Sequence, residues 1–119
     1  MKINNLIDLN SYIRINSIRE SFEAGCIFVS SLAEMRKIDV YNSKNIIFET
    51  TQLRSQFYES LLLRDIDHTV INCLSSNEMF DSMLNEARGI VVFDNVCKCT
   101  NNYILEQIEN YKGRKLLVC

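Results

Sequence analysis

Short apolar runs alternate with segments of helical periodicity along most of this chain. The runs are rich in β-branched and aromatic residues, as buried strands are, and they occupy residues 26–30, 45–49, 68–74, 89–96 and 115–119. The segments between them carry apolar residues at intervals of three and four, which is typical of amphipathic helices. This alternation predicts an α/β fold, a three-layer sandwich with a parallel sheet of about five strands and helices on both faces.

Polar residues mark where the predicted helices begin. Ser31 and Glu34 have the S-x-x-E spacing of a capping box, in which each side chain bonds to the backbone of the other residue. Ser75 and Glu78 repeat this spacing before the next-but-one helix. The stretch from Thr100 to Asn102 supplies capping candidates for the last helix. These signals place a helix start soon after most of the predicted strands.

The length of 119 residues is that of a single domain with its own core. We expect an N-terminal helical segment over residues 1–24 and an alternating strand and helix core over residues 25–119. Apolar residues at helical spacing predict a helix from Ser11 to Phe22, although the alternation around Ile13 and Ile15 would also fit a short strand. No linker or internal repeat divides the chain.

Charge and hydropathy narrow the range of partners. The net charge is −2, which gives no electrostatic reason to expect binding to nucleic acid or to an anionic membrane. No apolar run approaches the roughly 20 residues of a membrane span, and the N-terminus lacks the features of a secretion signal. We expect a cytoplasmic protein.

The five cysteines are an odd number, so they cannot all pair within the chain. Cys97 and Cys99 form the only close pair, with C-x-C spacing, and His68 is the only histidine. A zinc site normally requires C-x-x-C spacing and a second pair of ligands, so no metal site is predicted. Reduced thiols are the expectation, and a redox role for Cys97 and Cys99 stays open.

The run from Gly89 to Val96 has four large apolar residues followed by Asp94. This pattern predicts a buried central strand with a carboxylate at its carboxyl end, which is where open α/β sheets keep their ligand sites. Asp94 and Asn95 together also fit an ordinary turn at the end of a strand. Both readings place Asp94 at the carboxyl edge of the sheet.

From Asn45 onward the order of elements resembles the core of a P-loop ATPase of the AAA+ type. The nearest group is the bacterial enhancer-binding activators, which remodel an alternative sigma factor. Val70–Cys73 is similar to a second core strand of that group, Ala87–Asp94 to its Walker B strand and Lys115–Val118 to its sensor strand. For an intact member, the resemblance would imply ATP and magnesium as cofactors.

The chain departs from that family at the residues that carry its chemistry. A phosphate-binding loop has the sequence G-x-x-x-x-G-K-[ST], because glycines let backbone N–H groups close around the phosphates. When Arg54 and Ser55 are aligned with the lysine and serine, Phe48 and Leu53 stand at the glycine positions. Asn95 stands where the family has the glutamate that activates water. We therefore expect a degenerate core without catalytic residues.

The predicted function is a non-catalytic protein-interaction or regulatory module that needs no cofactor. Its partner would be a protein, for example an ATPase or a transcription-regulatory protein. The first alternative is a nucleotide-binding protein or ATPase with an atypical phosphate loop, in which Arg54, Ser55 and Asp94 would bind ATP and magnesium. A second alternative is a pseudo-receiver domain of a signalling system. A homodimer through the edge of an exposed last strand is also possible.

Overall fold

Residues 26–119 are the part of the protein described by the computed structural model. The strands are β1 (Cys26–Val29), β2 (Asn45–Phe48), β3 (His68–Asn72), β4 (Ile90–Asp94) and β5 (Lys115–Val118). The α-helices are α1 (Leu32–Arg36), α2 (Thr51–Leu63), α3 (Asn77–Asn85) and α4 (Asn102–Asn110), and a 3-10 helix spans Val96–Lys98. The helix predicted from Ser11 to Phe22 lies outside the described residues.

The five strands form one sheet in the order β1-β2-β5-β4-β3, and every neighbouring pair is parallel. The predicted α/β sandwich with a parallel sheet is therefore confirmed. One detail of the prediction was wrong, because β4 is an interior strand but not the central one. The position of β5, which the sequence left open, is in the middle of the sheet between β2 and β4. Pairing of two copies through β5 is excluded because both of its sides are occupied.

The helices divide evenly between the two faces of the sheet. Helices α1 and α2 pack on one face, and α3 and α4 pack on the other. Strand β4 shows why both faces are covered, since Ile90 and Val92 contribute to the first core while Val91 and Phe93 contribute to the second. None of the described helices is long and apolar enough to cross a membrane.

Side-chain caps begin the helices largely as predicted. The Ser31 hydroxyl accepts the Glu34 N–H at 3.2 Å at the start of α1. The prediction was wrong by one residue at α3, where Ser76 rather than Ser75 is the cap and accepts the Met79 N–H at 3.2 Å. Ser75 instead lies in a turn, with its N–H bonded to the carbonyl of Asn72 at the end of β3.

Gly89 sets the entry of the chain into β4. Its φ of +65° is in the left-handed region, and a Cβ at this position would lie 2.0 Å from the carbonyl oxygen of Asp67. The Ile90 N–H donates to the same oxygen at 3.0 Å. Only glycine allows this close approach, which sets where β4 begins and hence where Asp94 ends it.

Candidate functional site

Polar side chains from two strand ends and one helix meet at the carboxyl edge of the sheet. Asn72 ends β3 and Asp94 ends β4, and the two residues are paired in the register of these strands. Asn95 follows directly, and Arg54 lies in the first turn of α2, after the end of β2. We call Arg54, Asn72, Asp94 and Asn95 the polar cluster. It lies where parallel α/β sheets commonly hold their ligands.

Arg54 contacts both Asp94 and Asn95 of the polar cluster. Its Nη1 donates a hydrogen bond to Asn95 Oδ1 at 3.0 Å and lies 3.5 Å from Asp94 Oδ1. The side chains of Arg54 and Asp94 are only 20% and 13% exposed, so solvent screens this ion pair less than a surface pair. The positive charge of the guanidinium therefore compensates the carboxylate from within the protein.

Asn95 connects the ion pair to β3. Its φ of 62° is left-handed, a conformation that asparagine tolerates better than most residues. Its backbone N–H donates to Asp94 Oδ1 at 2.9 Å, and its Nδ2 donates to Asn72 Oδ1 at 3.0 Å. Because Arg54 carries only donors, the amide oxygen of Asn95 has to face it and the amide nitrogen has to face Asn72.

Tyr58 lies one helical turn beyond Arg54 on α2, beneath the polar cluster. Its hydroxyl oxygen is buried and makes no hydrogen bond of good geometry with any described residue, although it lies near enough to the Asp94 carboxylate to interact with it. Burial, and secondarily the negative charge of Asp94, raises the pKa of Tyr58. The phenol therefore stays protonated and neutral beside the carboxylate at physiological pH.

The segment from Phe48 to Arg54 cannot act as a phosphate-binding loop. Phe48 and Leu53, at the two expected glycine positions, are buried in the core with exposures of 7% and 9%. Only two residues separate β2 from α2, too few for a loop that closes around phosphates. The Phe48 ring also packs against that of Phe57 with a centroid distance of 5.2 Å, so its side chain is a structural part of the first core.

Four backbone donors of this segment are already engaged. The Phe48 N–H donates to the Cys119 carbonyl at 3.0 Å, and the Glu49 N–H donates to the Val29 carbonyl at 2.9 Å. At the start of α2, Thr50 accepts two more, from Leu53 N–H to its hydroxyl at 3.1 Å and from Arg54 N–H to its carbonyl at 3.3 Å. These donors would have to be free to bind phosphate oxygens.

The residues present also do not fit a magnesium site. Magnesium prefers several oxygen ligands, usually including carboxylates. Asp94 is the only acidic residue of the polar cluster, and Arg54 already contacts it. No group of three or more His, Cys, Asp or Glu side chains that could hold a metal occurs within residues 26–119.

The structure brings together two of the three residues proposed for nucleotide binding. Arg54 and Asp94 meet, whereas Ser55 is exposed and takes no part in the polar cluster. Asn72 and Asn95 are additional members that the sequence did not identify as site residues. Asn72 could have been identified from the sequence because, like Asp94, it is a polar residue at the end of an apolar strand.

Two of the five cysteines differ from the expectation of reduced thiols. Cys97 and Cys119 form a disulfide with a Cα–Cα distance of 5.8 Å, so the partner of Cys97 is not Cys99. Cys73 and Cys99 are free and buried, and burial raises the pKa of both thiols. The disulfide begins two residues after Asn95 and therefore adjoins the polar cluster.

The chain was compared with protein-family models, with curated proteins and with solved structures, and none of these comparisons found a match.

Proposed function

We propose that this protein is a non-catalytic interaction module in which an internal ion pair closes the position that a nucleotide-binding core would use for its ligand. The contact of Arg54 with Asp94 and Asn95 carries this proposal. In the ATPase family that the chain resembles, the cation after the first core strand would bind phosphate and the aspartate would bind metal. Here the corresponding side chains bind each other.

Ligand binding at this position would have to break that contact. A phosphate group would compete with Asp94 and Asn95 for the Arg54 guanidinium, and a metal ion would compete with Arg54 for the Asp94 carboxylate. Either event leaves one charge of a largely buried pair without its partner, which is costly. The N–H groups of Leu53 and Arg54 already donate to Thr50 and would have to give up those bonds to contact a phosphate.

At position 95, where the resembled family has the glutamate that activates water, the polar cluster has an amide. General base catalysis requires a side chain that accepts a proton, and the amide of Asn95 cannot do so. The Asn95 oxygen already accepts from Arg54, and its nitrogen already donates to Asn72. These contacts support a structural role, in which the polar cluster holds the carboxyl edge of the sheet rigid.

Exposed apolar side chains support the protein-binding part of the proposal. Leu62 and Leu63, adjacent at the end of α2, are 72% and 87% exposed, and Phe28 on β1 is 55% exposed. Exposed apolar surface costs solubility unless a partner covers it, which makes these positions the first to test. A protein partner, for example an ATPase or a transcription-regulatory protein, is the class suggested by the resemblance.

Site-specific photo-crosslinking in the native host tests this proposal. A benzophenone amino acid is placed at Leu63 or at Phe28, and a matched control carries it at Glu59, an exposed polar position of α2. We expect a discrete adduct with one other protein from an apolar position and not from Glu59. Equal, diffuse labelling from all three positions would contradict a specific protein partner.

One observation favours the nucleotide-binding alternative, namely that Arg54 and Asp94 meet at the carboxyl ends of parallel strands. That alternative predicts that ATP with magnesium stabilises the folded protein, since a ligand that binds only the native state raises its stability. The pseudo-receiver alternative has no such support. The observed order β1-β2-β5-β4-β3 differs from the order 2-1-3-4-5 of flavodoxin-like folds.

A further inference from the structure

The disulfide joins the chain just after β4, next to the polar cluster, to the residue after β5. Cys97 belongs to the 3-10 helix that follows Asn95. Cys119 follows β5, where its N–H donates to the Ile46 carbonyl at 2.9 Å and its carbonyl accepts the Phe48 N–H at 3.0 Å. The disulfide thus ties the segment after β4 to the chain that runs beside β2.

The pair is accessible to reagents in solution, whereas the other thiols of the core are not. Cys97 and Cys119 are each partly exposed, and their Cα–Cα distance of 5.8 Å is ordinary for a disulfide. Cys73 and Cys99 are 1% and 2% exposed, and burial raises their pKa, so they supply little thiolate for internal exchange. Cys26 begins β1 at the amino edge of the sheet, whereas the pair follows the carboxyl ends of β4 and β5, so exchange at the pair requires an external thiol.

We propose that Cys97 and Cys119 form a thiol–disulfide switch that exchanges with low-molecular-weight thiols of the glutathione class and controls the Arg54 contact with Asn95. In the oxidised form the segment that carries Asn95 is tied to the end of β5. In the reduced form the segment after Asn95 loses this crosslink and keeps the buried Val96 and Cys99 side chains and the hydrogen bond from the Lys98 N–H to the Asn95 carbonyl at 3.1 Å. The switch operates in the same way whether the module binds a protein or a nucleotide.

The small thiol and its disulfide supply the electrons and sulfur bonds that the exchange requires. On oxidation, one protein thiolate attacks the S–S bond of the small disulfide, forms a mixed disulfide and releases one small thiol. The second protein thiolate then attacks the protein sulfur, forms the Cys97–Cys119 bond and releases the second small thiol. Two electrons pass from the protein dithiol to the small disulfide, and reduction follows the same steps in reverse.

Counting thiols in glutathione buffers is the first part of the test. The full chain is equilibrated at different ratios of reduced to oxidised glutathione, quenched with acid, unfolded and alkylated, and its mass is measured. We expect five alkylated cysteines under reducing conditions and three under oxidising conditions. Five at every ratio would mean that no disulfide forms, and three in excess reduced glutathione would mean a static crosslink; either result overturns the proposal.

Tryptic mapping establishes which cysteines pair. Lys98 lies between Cys97 and Cys99, so trypsin separates these two residues onto different peptides. The proposal predicts that the oxidised form contains peptide 89–98 linked to peptide 116–119. A link from Cys99 to Cys119 would overturn the assignment.

Hydrogen–deuterium exchange tests the effect on the polar cluster. We expect amides of residues 95–101 to exchange about tenfold faster in the reduced form, because a segment released from a crosslink opens locally at lower cost. In both reducing and oxidising buffer, the amides of the C119S variant should exchange as fast as those of the reduced wild type. The C97S variant serves the same purpose if C119S does not fold. C26S is the matched control and should retain the switch. Equal exchange in both forms of the wild type would overturn control of the cluster.

Discussion

Arg54 Nη1 lies 3.0 Å from Asn95 Oδ1, although 41 positions separate the two residues in the chain. Strand β5 lies between the strands that precede them, so α2 and the end of β4 are two strand spacings apart, roughly 10 Å. A long side chain with several donors can cross that distance and contact two acceptors, whereas a lysine presents one compact ammonium. The contact therefore depends on both the strand order and the choice of arginine.

Removing the Arg54 side chain should destabilise the fold. Arg54→Ala leaves Asp94 largely buried without its cation, and we expect a loss of about 1 to 3 kcal/mol, between the values for exposed and fully buried pairs. Urea denaturation measures the change. Arg88→Ala, at an exposed arginine, is the matched control and should change the free energy of unfolding by less than about 0.5 kcal/mol.

A double-mutant cycle isolates the pair itself. Arg54→Met and Asp94→Asn are each expected to destabilise the protein, and the double variant should lose less than the sum, with a coupling of about 1 kcal/mol. Additive losses would show that the two side chains do not interact in solution.

The stability of variants at position 95 should depend on the backbone conformation there as well as on the side chain. Asn95→Gly and Asn95→Ala both remove the bonds to Arg54 and Asn72, but only alanine is strained at a φ of 62°. We therefore expect the alanine variant to be less stable than the glycine variant by about 1 kcal/mol. Equal stabilities in urea denaturation would argue against a left-handed residue at this position.

Gly89 should not tolerate a side chain. Gly89→Ala places a Cβ 2.0 Å from a backbone oxygen at a left-handed φ, and we expect a loss of at least about 2 kcal/mol. Gly113→Ala is the matched control, because its φ is not left-handed and the nearest atoms belong to the movable Tyr111 side chain. A thermal melt that ranks the two variants in the opposite order would contradict the described start of β4.

The folded protein should lose stability as the pH becomes alkaline. Burial raises the pKa of Cys73 and Cys99 in the folded state, while unfolded thiols titrate near about 8.5. The free energy of unfolding is therefore unaffected by the titration of these thiols while the pH is below their pKa in the unfolded chain, and it declines as the pH rises above that pKa. We expect the urea midpoint to fall between about pH 7.5 and about pH 9.5. The urea midpoint of the Cys73→Ala variant should fall less steeply with pH. A wild-type midpoint that does not change with pH would contradict the burial of these thiols.

The local parts of this fold were predictable from the sequence, because alternation, helical spacing and capping residues act over a few positions. Ser31 shows this, as its cap follows directly from the residue three positions later. The Ser75 prediction failed by one residue because adjacent serines satisfy the same rule. Strand order was not predictable, because β5 enters the sheet between β2 and β4 and no local pattern encodes its neighbours.

The same limit applies to the polar cluster. Arg54 and Asp94 stood out in the sequence by residue type and position, yet their contact depends on which strands are neighbours. Asn72 joins them only through the register of β3 and β4. The pairing of Cys97 with Cys119 likewise follows from the central position of β5 rather than from cysteine spacing.

A thermal melt with and without millimolar ATP, ADP and magnesium tests the central claim most directly. Arg54 already binds Asp94 and Asn95, and the N–H groups of Leu53 and Arg54 donate to Thr50, so the account predicts no change in the melting temperature of the wild type. A rise of several degrees that requires both nucleotide and magnesium, and that is lost in Asp94→Asn, would contradict it. That result would show that the polar cluster opens to bind a ligand.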